Sequence, residues 1–240
     1  MEKLPLELLS MIFIELDPYS LMNFRRLRRI VKYAPTVLRS INTIGPGQSF
    51  SVQDLYDKLH TTACETCGDY GGYLYLITCR RVCYLCFTQE ESYLPLLQVD
   101  VMRKIALRPK HVASLPKIKF KMSKRFILFD HDTAREVGLA LYGSETAMRQ
   151  NAAAILSDKM DLYESRISQQ TAGTRTTTPR KPQISDEPDN GFLNPKRFMA
   201  IVRAPSLDRS GALEWGFHCA ACQKQHILEC GEIIDGRHRR

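Results

Sequence analysis

The 240-residue sequence has no apolar run long enough to cross a membrane as a helix. Its most apolar segment, near the N-terminus, is interrupted by Glu7 and closed by Glu15, which argues against a signal peptide and for a cytoplasmic or nuclear protein. No internal repeat is present, so a solenoid or propeller is not indicated. Three histidines, His60, His111 and His131, are scattered rather than clustered, and no His-rich catalytic signature accompanies them. Acid is missing altogether between Asp100 and Asp130, where nine Lys and Arg stand, enough to account for the net charge of +8. In a reducing compartment, eight cysteines are better read as metal ligands than as disulfides.

The stretch from Leu4 to Phe24 is unusually apolar. Pro5 suits a first helical position, and Leu8, Leu9, Ile12, Phe13 and Leu16 fall on one helix face. Leu6, Met11 and Ile14 lie off that face, so the helix needs cover on more than one side. Asp17 caps a second helix, with Pro18 at its first position and a stripe of Leu21, Phe24, Leu27, Ile30 and Val31. Arg25, Arg26, Arg28, Arg29 and Lys32 crowd its last turns, where cations favour the dipole, and Ala34-Pro35 breaks the pattern.

Cys64-x2-Cys67-x15-Cys83-x2-Cys86 has the spacing of a structural zinc site: two tight Cys-x-x-Cys turns, joined by a hairpin, meet around a tetrahedral ion. Four thiolates leave no open position for catalysis. Gly68 permits a left-handed turn after the first pair. A third pair, Cys219-x2-Cys222, forms a second site with Cys230 and either His226 or Cys79, or else completes the first. Cys79 is also the likeliest spare thiol for chemistry, because Arg80 and Arg81 beside it lower a thiol pKa.

Elsewhere, Ser51 and Asp54 form a capping box opening a helix to about Thr62. Tyr73–Thr78, Lys117–Met122, Phe126–Phe129, Phe198–Val202 and Leu213–Phe217 read as strands. Lys117, Lys119 and Lys121 alternate with apolar residues, the pattern of a half-buried strand with a basic outer face. Helices are expected from Asp132 to Ala140, ending near Gly143, and from a cap at Ser144 past Tyr163. Residues 169–190 carry three prolines and Ile184 as their one large aliphatic residue, so they read as a disordered loop.

The N-terminal pattern resembles an F-box at Leu4, Pro5, Glu7, Leu8, Leu9, Ile12, Phe13, Leu16, Asp17, Pro18, Ser20 and Leu21. Where many F-boxes carry a late Trp, this chain reads Tyr33-Ala34-Pro35-Thr36-Val37-Leu38. The block of Cys79, Arg81, Cys83 and Cys86, with Tyr93-Leu-Pro-Leu96, Leu128-Phe-Asp130 and Trp215-Gly-Phe-His-Cys-Ala-Ala-Cys222, resembles a group of fungal F-box proteins with a cysteine-rich region after the F-box. The resemblance implies an α+β fold: an F-box over 1–45, a zinc-binding region over 46–168, the polar loop over 169–190, and C-terminal strands over 191–240 packing on the central region. It further implies a non-catalytic substrate receptor of an SCF-type (cullin-RING) ubiquitin ligase, acting with a cullin scaffold on a protein target. Leu4, Pro5, Leu8, Leu9, Ile12, Phe13, Leu16, Pro18 and Leu21 would dock on the Skp adaptor, and zinc would be structural. The alternative is a zinc-containing nucleic-acid binder using the basic stretch from Arg103 to Arg125.

Overall fold

The computed structural model describes residues 17–44, 49–120, 123–171, 179, 181–182, 194–208, 210 and 212–216. It is a mixed structure of helices and small antiparallel sheets, divided into two compact units. Of the described residues, one takes in those of 17–42, Phe50–Cys86 and 201–216; the other takes in those within 43–49 and 87–200. The N-terminal helices and the cysteine hairpin, assigned to separate segments in sequence, thus share a unit. Among the described residues, no helix is long and apolar enough to cross a membrane.

In the first unit, α1 (Pro18–Tyr33) begins at the expected cap. Asp17 accepts backbone N–H groups from Tyr19 at 2.9 Å and Ser20 at 3.0 Å, satisfying donors that a helix start leaves open. The Ala34 N–H closes the helix on the Ile30 carbonyl, and α2 (Pro35–Thr43) restarts at once with Pro35 in front. The capping box of Ser51 and Asp54 opens α3 (Val52–Leu59), which stops short of Thr62 at His60. These helices bury Ile30, Val37, Leu55 and Leu59 against Leu74, Ala204 and Leu207.

The strands of this unit are short. β1 (Tyr73–Tyr75) and β2 (Arg80–Val82) form a hairpin whose turn spans Leu76–Cys79, so the strand expected to reach Thr78 ends three residues early. Cys79 takes a left-handed φ of 57° to complete that turn. β6 (Ile201–Arg203) pairs with the other side of β1. β7 (Ser206–Leu207) and β8 (Leu213–Glu214) form a second small ladder.

The second unit has longer elements. α4 (Tyr84–Gln89) leads out of the last cysteine pair, and a 3-10 turn (Glu91–Tyr93) precedes β3 (Leu96–Leu97), α5 (Gln98–Lys104) and α6 (Pro109–Val112). β4 (Lys117–Phe120) and β5 (Ser123–Phe129) complete a sheet of order β3-β5-β4, so the lysine-bearing β4 is an edge strand. Ile118 is buried between half-buried Lys117 and exposed Lys119, as the alternation requires. α7 (His131–Tyr142) is capped by Asp130, two residues before the expected start, and Gly143 ends it at φ 77°. α8 (Glu145–Thr171) starts at the Ser144 hydroxyl and runs on through Gln169–Thr171, where a loop was expected; the rest of that expected loop lies largely outside the described residues. Phe198 and Met199 belong to a helix, α9 (Pro195–Met199), and not to the strand read from their hydrophobicity: Asn194 caps the turn and Pro195 fixes its first φ. The core of this unit is built on Leu96, Val101, Ile105, Leu107, Phe129, Ala134 and Met148.

Candidate metal centre

The β1–β2 hairpin determines the geometry of the cysteines. Its ladder pairs Tyr73 with Val82 and Leu74 with Arg81, which draws the segment before β1 and the segment after β2 to the same end. Cys64 and Cys67 lie before it, Cys83 and Cys86 after it, and all four sulfurs fall within 4.8 Å of one another. Cys64, Cys83 and Cys86 are buried and Cys67 is exposed. A tetrahedral ion with bonds of about 2.3 Å to sulfur sets its ligands roughly 3.8 Å apart, and the Cys67 and Cys83 sulfurs are 3.6 Å apart. The donor set therefore fits a tetrahedral, thiolate-preferring cation.

Both turns have local supports. In the first, the Gly68 N–H bonds the Cys64 carbonyl at 2.9 Å, with Gly68 in the expected left-handed region at φ 84°. In the second, Cys83 directly precedes α4, and the Cys86 N–H points to the Cys83 sulfur at 3.4 Å. Without a cation four crowded sulfurs cannot all ionise. Hydrogen bonds from Cys86 push Cys83 down to about 5. Burial pushes Cys67 up to about 12, and the neighbouring Cys83 raises Cys86. A divalent cation would favour the thiolate form of its ligands.

Residues outside the cysteines support the site, and no local sequence pattern points to them. Glu65, inside the first pair, accepts the Arg81 N–H at 2.8 Å, while its own N–H bonds the Arg81 carbonyl at 2.9 Å. Lys58 pairs with Glu65 at 2.6 Å. Arg81 is fully buried, and its guanidinium donates to backbone carbonyls: those of Ala204 and Pro205 at 3.0 Å each, and that of Gly71. Burial draws its pKa below the ordinary arginine value. Gly71 has no room for a side chain: a Cβ there would stand 2.7 Å from Arg81 Cγ and 3.3 Å from the Cys64 backbone. Tyr70 ties the loop to β8 through a 2.6 Å bond to the Glu214 carbonyl, and its ring lies against Gly216, at φ 56°.

Cys79 is not in the cluster. Its sulfur joins the apolar core, where burial pushes its thiol up to about 12. This corrects the reading of an activated thiol, because the Arg81 charge is aimed at backbone carbonyls and burial dominates. The other members of the expected second site, Cys219, Cys222, His226 and Cys230, lie outside the described residues, as do Leu4, Pro5, Leu8, Leu9, Ile12, Phe13 and Leu16 of the expected docking helix. Of that set, Pro18 occupies the first position of α1 and Leu21 is half-buried. In comparisons with known proteins, the chain matches no family model, no curated protein and no solved structure.

Proposed function

We propose that this chain is the substrate-receptor subunit of an SCF-type (cullin-RING) ubiquitin ligase, with N-terminal helices that dock on the Skp adaptor and a cysteine cluster that holds structural zinc. The protein does no bond chemistry; it brings a target to a charged conjugating enzyme, and proximity is its contribution. The observation that carries the reading is the outer face of α1. Phe24, Leu27 and Val31, spaced i, i+3 and i+7, are 44%, 37% and 54% exposed, while Ile30, at the edge of the same stripe, is fully buried. A helix whose apolar stripe is buried only along one edge suits a segment that is covered by another polypeptide. The F-box resemblance of residues 4–21 names the kind of partner.

Zinc is supported by thiolate number, spacing and separation together, and by the absence of an open ligand position in a four-cysteine set. The nucleic-acid alternative draws less support. Of the described lysines on β4, Lys117 donates to the Ala113 carbonyl and lies over the Phe129 ring, so its charge is committed within the fold.

The test is co-purification. Replacing Leu8 and Ile12 with Asp should abolish retention of the adaptor and leave the zinc content at one ion per described cluster. Adaptor binding that survives the double replacement overturns the ligase reading. Tight, salt-sensitive binding of single-stranded or duplex nucleic acid at physiological salt would replace it with the alternative.

A further inference from the structure

The second unit contains a cavity of about 540 Å³ between the end of α5, α7 and the first half of α8, a volume in the range of ordinary ligand sites. Its floor is apolar, with Leu96, Ile105, Met148 and Leu156 in the lining. Its rim is cationic. Arg135 on α7 and Arg149 on α8 converge on one carboxylate: Glu145 lies 3.2 Å from Arg135 Nη2 and 2.6 Å from Arg149 Nη2. The hydrogen bond from Arg135 and the charge of Arg149 hold the Glu145 carboxyl below its usual range. Two guanidiniums are thus fixed side by side, yet their side chains remain 49% and 74% exposed. A single carboxylate neutralises one of those two charges and leaves donors facing outward.

The rest of the rim does not cancel this surplus. Lys104 also lines the cavity, and Arg103 is answered by Asp100 at 3.4 Å. Glu91 stands 3.5 Å from His131 Nε2. Among the lining residues four permanent cations therefore face two carboxylates. Steric and electrostatic features point the same way: a hole sized for a side chain, floored by hydrocarbon, with a pair of forks at its mouth that match carboxylates.

We infer that this cavity binds a short acidic segment of a partner protein, with one apolar side chain inserted against Leu96, Met148 and Leu156 and flanking carboxylates laid across Arg135 and Arg149. Charge complementarity selects the acidic peptide, and the apolar floor selects a peptide over nucleic acid, whose phosphodiester backbone would leave that floor unused. As the recognition point for a ubiquitination target the site rests on the ligase reading; as a peptide site it stands without it.

The test uses the full, metal-loaded chain without adaptor and a panel of dye-labelled nonapeptides. Each has a central Leu, Met or Phe, and flanks that are acidic, neutral-amide, lysine or phosphoserine. Anisotropy at physiological salt should show acidic-flanked peptides binding about tenfold more tightly than neutral ones. Arg135→Gln and Arg149→Gln should each weaken the acidic series several-fold, and Glu145→Gln, which removes a competing carboxylate, should strengthen it about threefold. Ala152→Phe should weaken the acidic and neutral series alike by crowding the floor. Opposite signs at the arginines and at Glu145 are what a merely structural trio would not produce. Equal binding of acidic and neutral flanks overturns the proposal, as does a shift in the same direction for all three charge variants. Binding confined to phosphoserine peptides, or displacement by single-stranded nucleic acid at equal concentration, overturns it too. A tenfold gain on neutralising the chain's own Asp186, Glu187 and Asp189 would assign the cavity to a segment of this chain instead. Adaptor retention, measured separately, distinguishes failure here from failure of the ligase reading.

Discussion

The two units solve the same problem with different means. In the first, β1, β2 and β6 are three residues each and β7 and β8 two, so no sheet buries much by itself. Helices α1, α2 and α3 supply Ile30, Val37, Leu55 and Leu59 to an apolar core with Leu74, and order around the short strands comes from a buried arginine that collects carbonyls, a carboxylate that accepts the Arg81 N–H, and four clustered sulfurs. In the second, a 27-residue α8, a 12-residue α7 and a seven-residue β5 enclose an apolar core, with Asp130 and Gly143 ending α7 cleanly. Strands of two and three residues cannot offset their ordering entropy through hydrophobic burial alone, so around the hairpin a cross-link would add to what the helical core supplies. The comparison predicts which unit fails when each device is removed.

Removing the proposed zinc should have the largest effect. Structural zinc sites carry about 10 kcal/mol or more of binding energy that is also folding energy. Chelation, Cys64→Ser or Cys86→Ser should abolish amide protection across β1, β2 and β6 while α7 and α8 retain theirs, read by hydrogen exchange alongside zinc content. Loss of protection in α8 together with the hairpin would break the comparison, since it would make the units one cooperative body. A wild-type protein without zinc that keeps the hairpin protected would remove its basis.

Point substitutions should sharpen it. Arg81→Met deprives the Gly71, Ala204 and Pro205 carbonyls of their donor at a fully buried site, and stranded buried polar groups cost about 1–3 kcal/mol each before relaxation. A loss of roughly 3 kcal/mol is expected, with the hairpin the region that opens. Two glycines make a matched pair. A Cβ at Gly71 would press on Arg81 Cγ and the Cys64 backbone, which have nowhere to go. A Cβ at Gly138 would meet Ile105 Cγ2 at 2.5 Å and Met148 Sδ at 2.7 Å; the methionine end can move, while the branched methyl of buried Ile105 has little room to. Gly71→Ala should therefore cost about 2–3 kcal/mol. Gly138→Ala should cost about 1–2 kcal/mol, because alanine's helix propensity offsets part of the overpacking. Denaturant midpoints measure both, and equal losses would show that α7 is as rigidly packed as the cysteine loop.

What the sequence disclosed divides along the same line. Signals confined to a few neighbouring residues were legible: the Asp17 cap, the Ser51–Asp54 box, Gly68 in its left-handed turn and the spacing of Cys64, Cys67, Cys83 and Cys86. Devices that depend on distant partners were not. Arg81 reads in sequence as a charge beside Cys79, since its acceptors at Ala204 and Pro205 arrive only when β6 pairs with β1. Arg197, buried against the carbonyls of Phe87 and Glu90, directly precedes Phe198–Val202, the run read as a strand for its apolar residues. The Asn194-Pro195 pair before it was the available signal, and a local cap outweighed β propensity. Glu145 and Arg149 form an i,i+4 pair that one helix makes legible, but Arg135 comes from another helix, so its arrival at the same carboxylate has no sequence pattern.

Acid should expose the smallest difference. Asp17 and Asp54 are both held below the ordinary Asp value of 3.8, Asp17 chiefly by the Ser20 hydroxyl and Asp54 chiefly by the Ser51 N–H. A depressed folded pKa gives stability that is present above 3.8 and lost as pH falls through the lower folded value. The first turns of α1 and α3 should therefore loosen only in strong acid, seen as movement of the Ser20 and Ser51 amide resonances, and Asp17→Asn or Asp54→Asn should flatten the corresponding profile. Glu145 is depressed as well, from 4.5, but by the Arg135 hydrogen bond at an exposed site, so its titration should release two arginines and disturb α7 and α8 little. Protons also compete for the cysteine thiolates, and metal loss would move every resonance of the first unit at once. The cap variants separate the two processes, because Asp54→Asn alters the Ser51 profile without changing the pH at which zinc leaves. If the Ser51 profile of Asp54→Asn still follows the wild type, the low-pH loosening belongs to the metal centre and the capping box contributes nothing measurable to it.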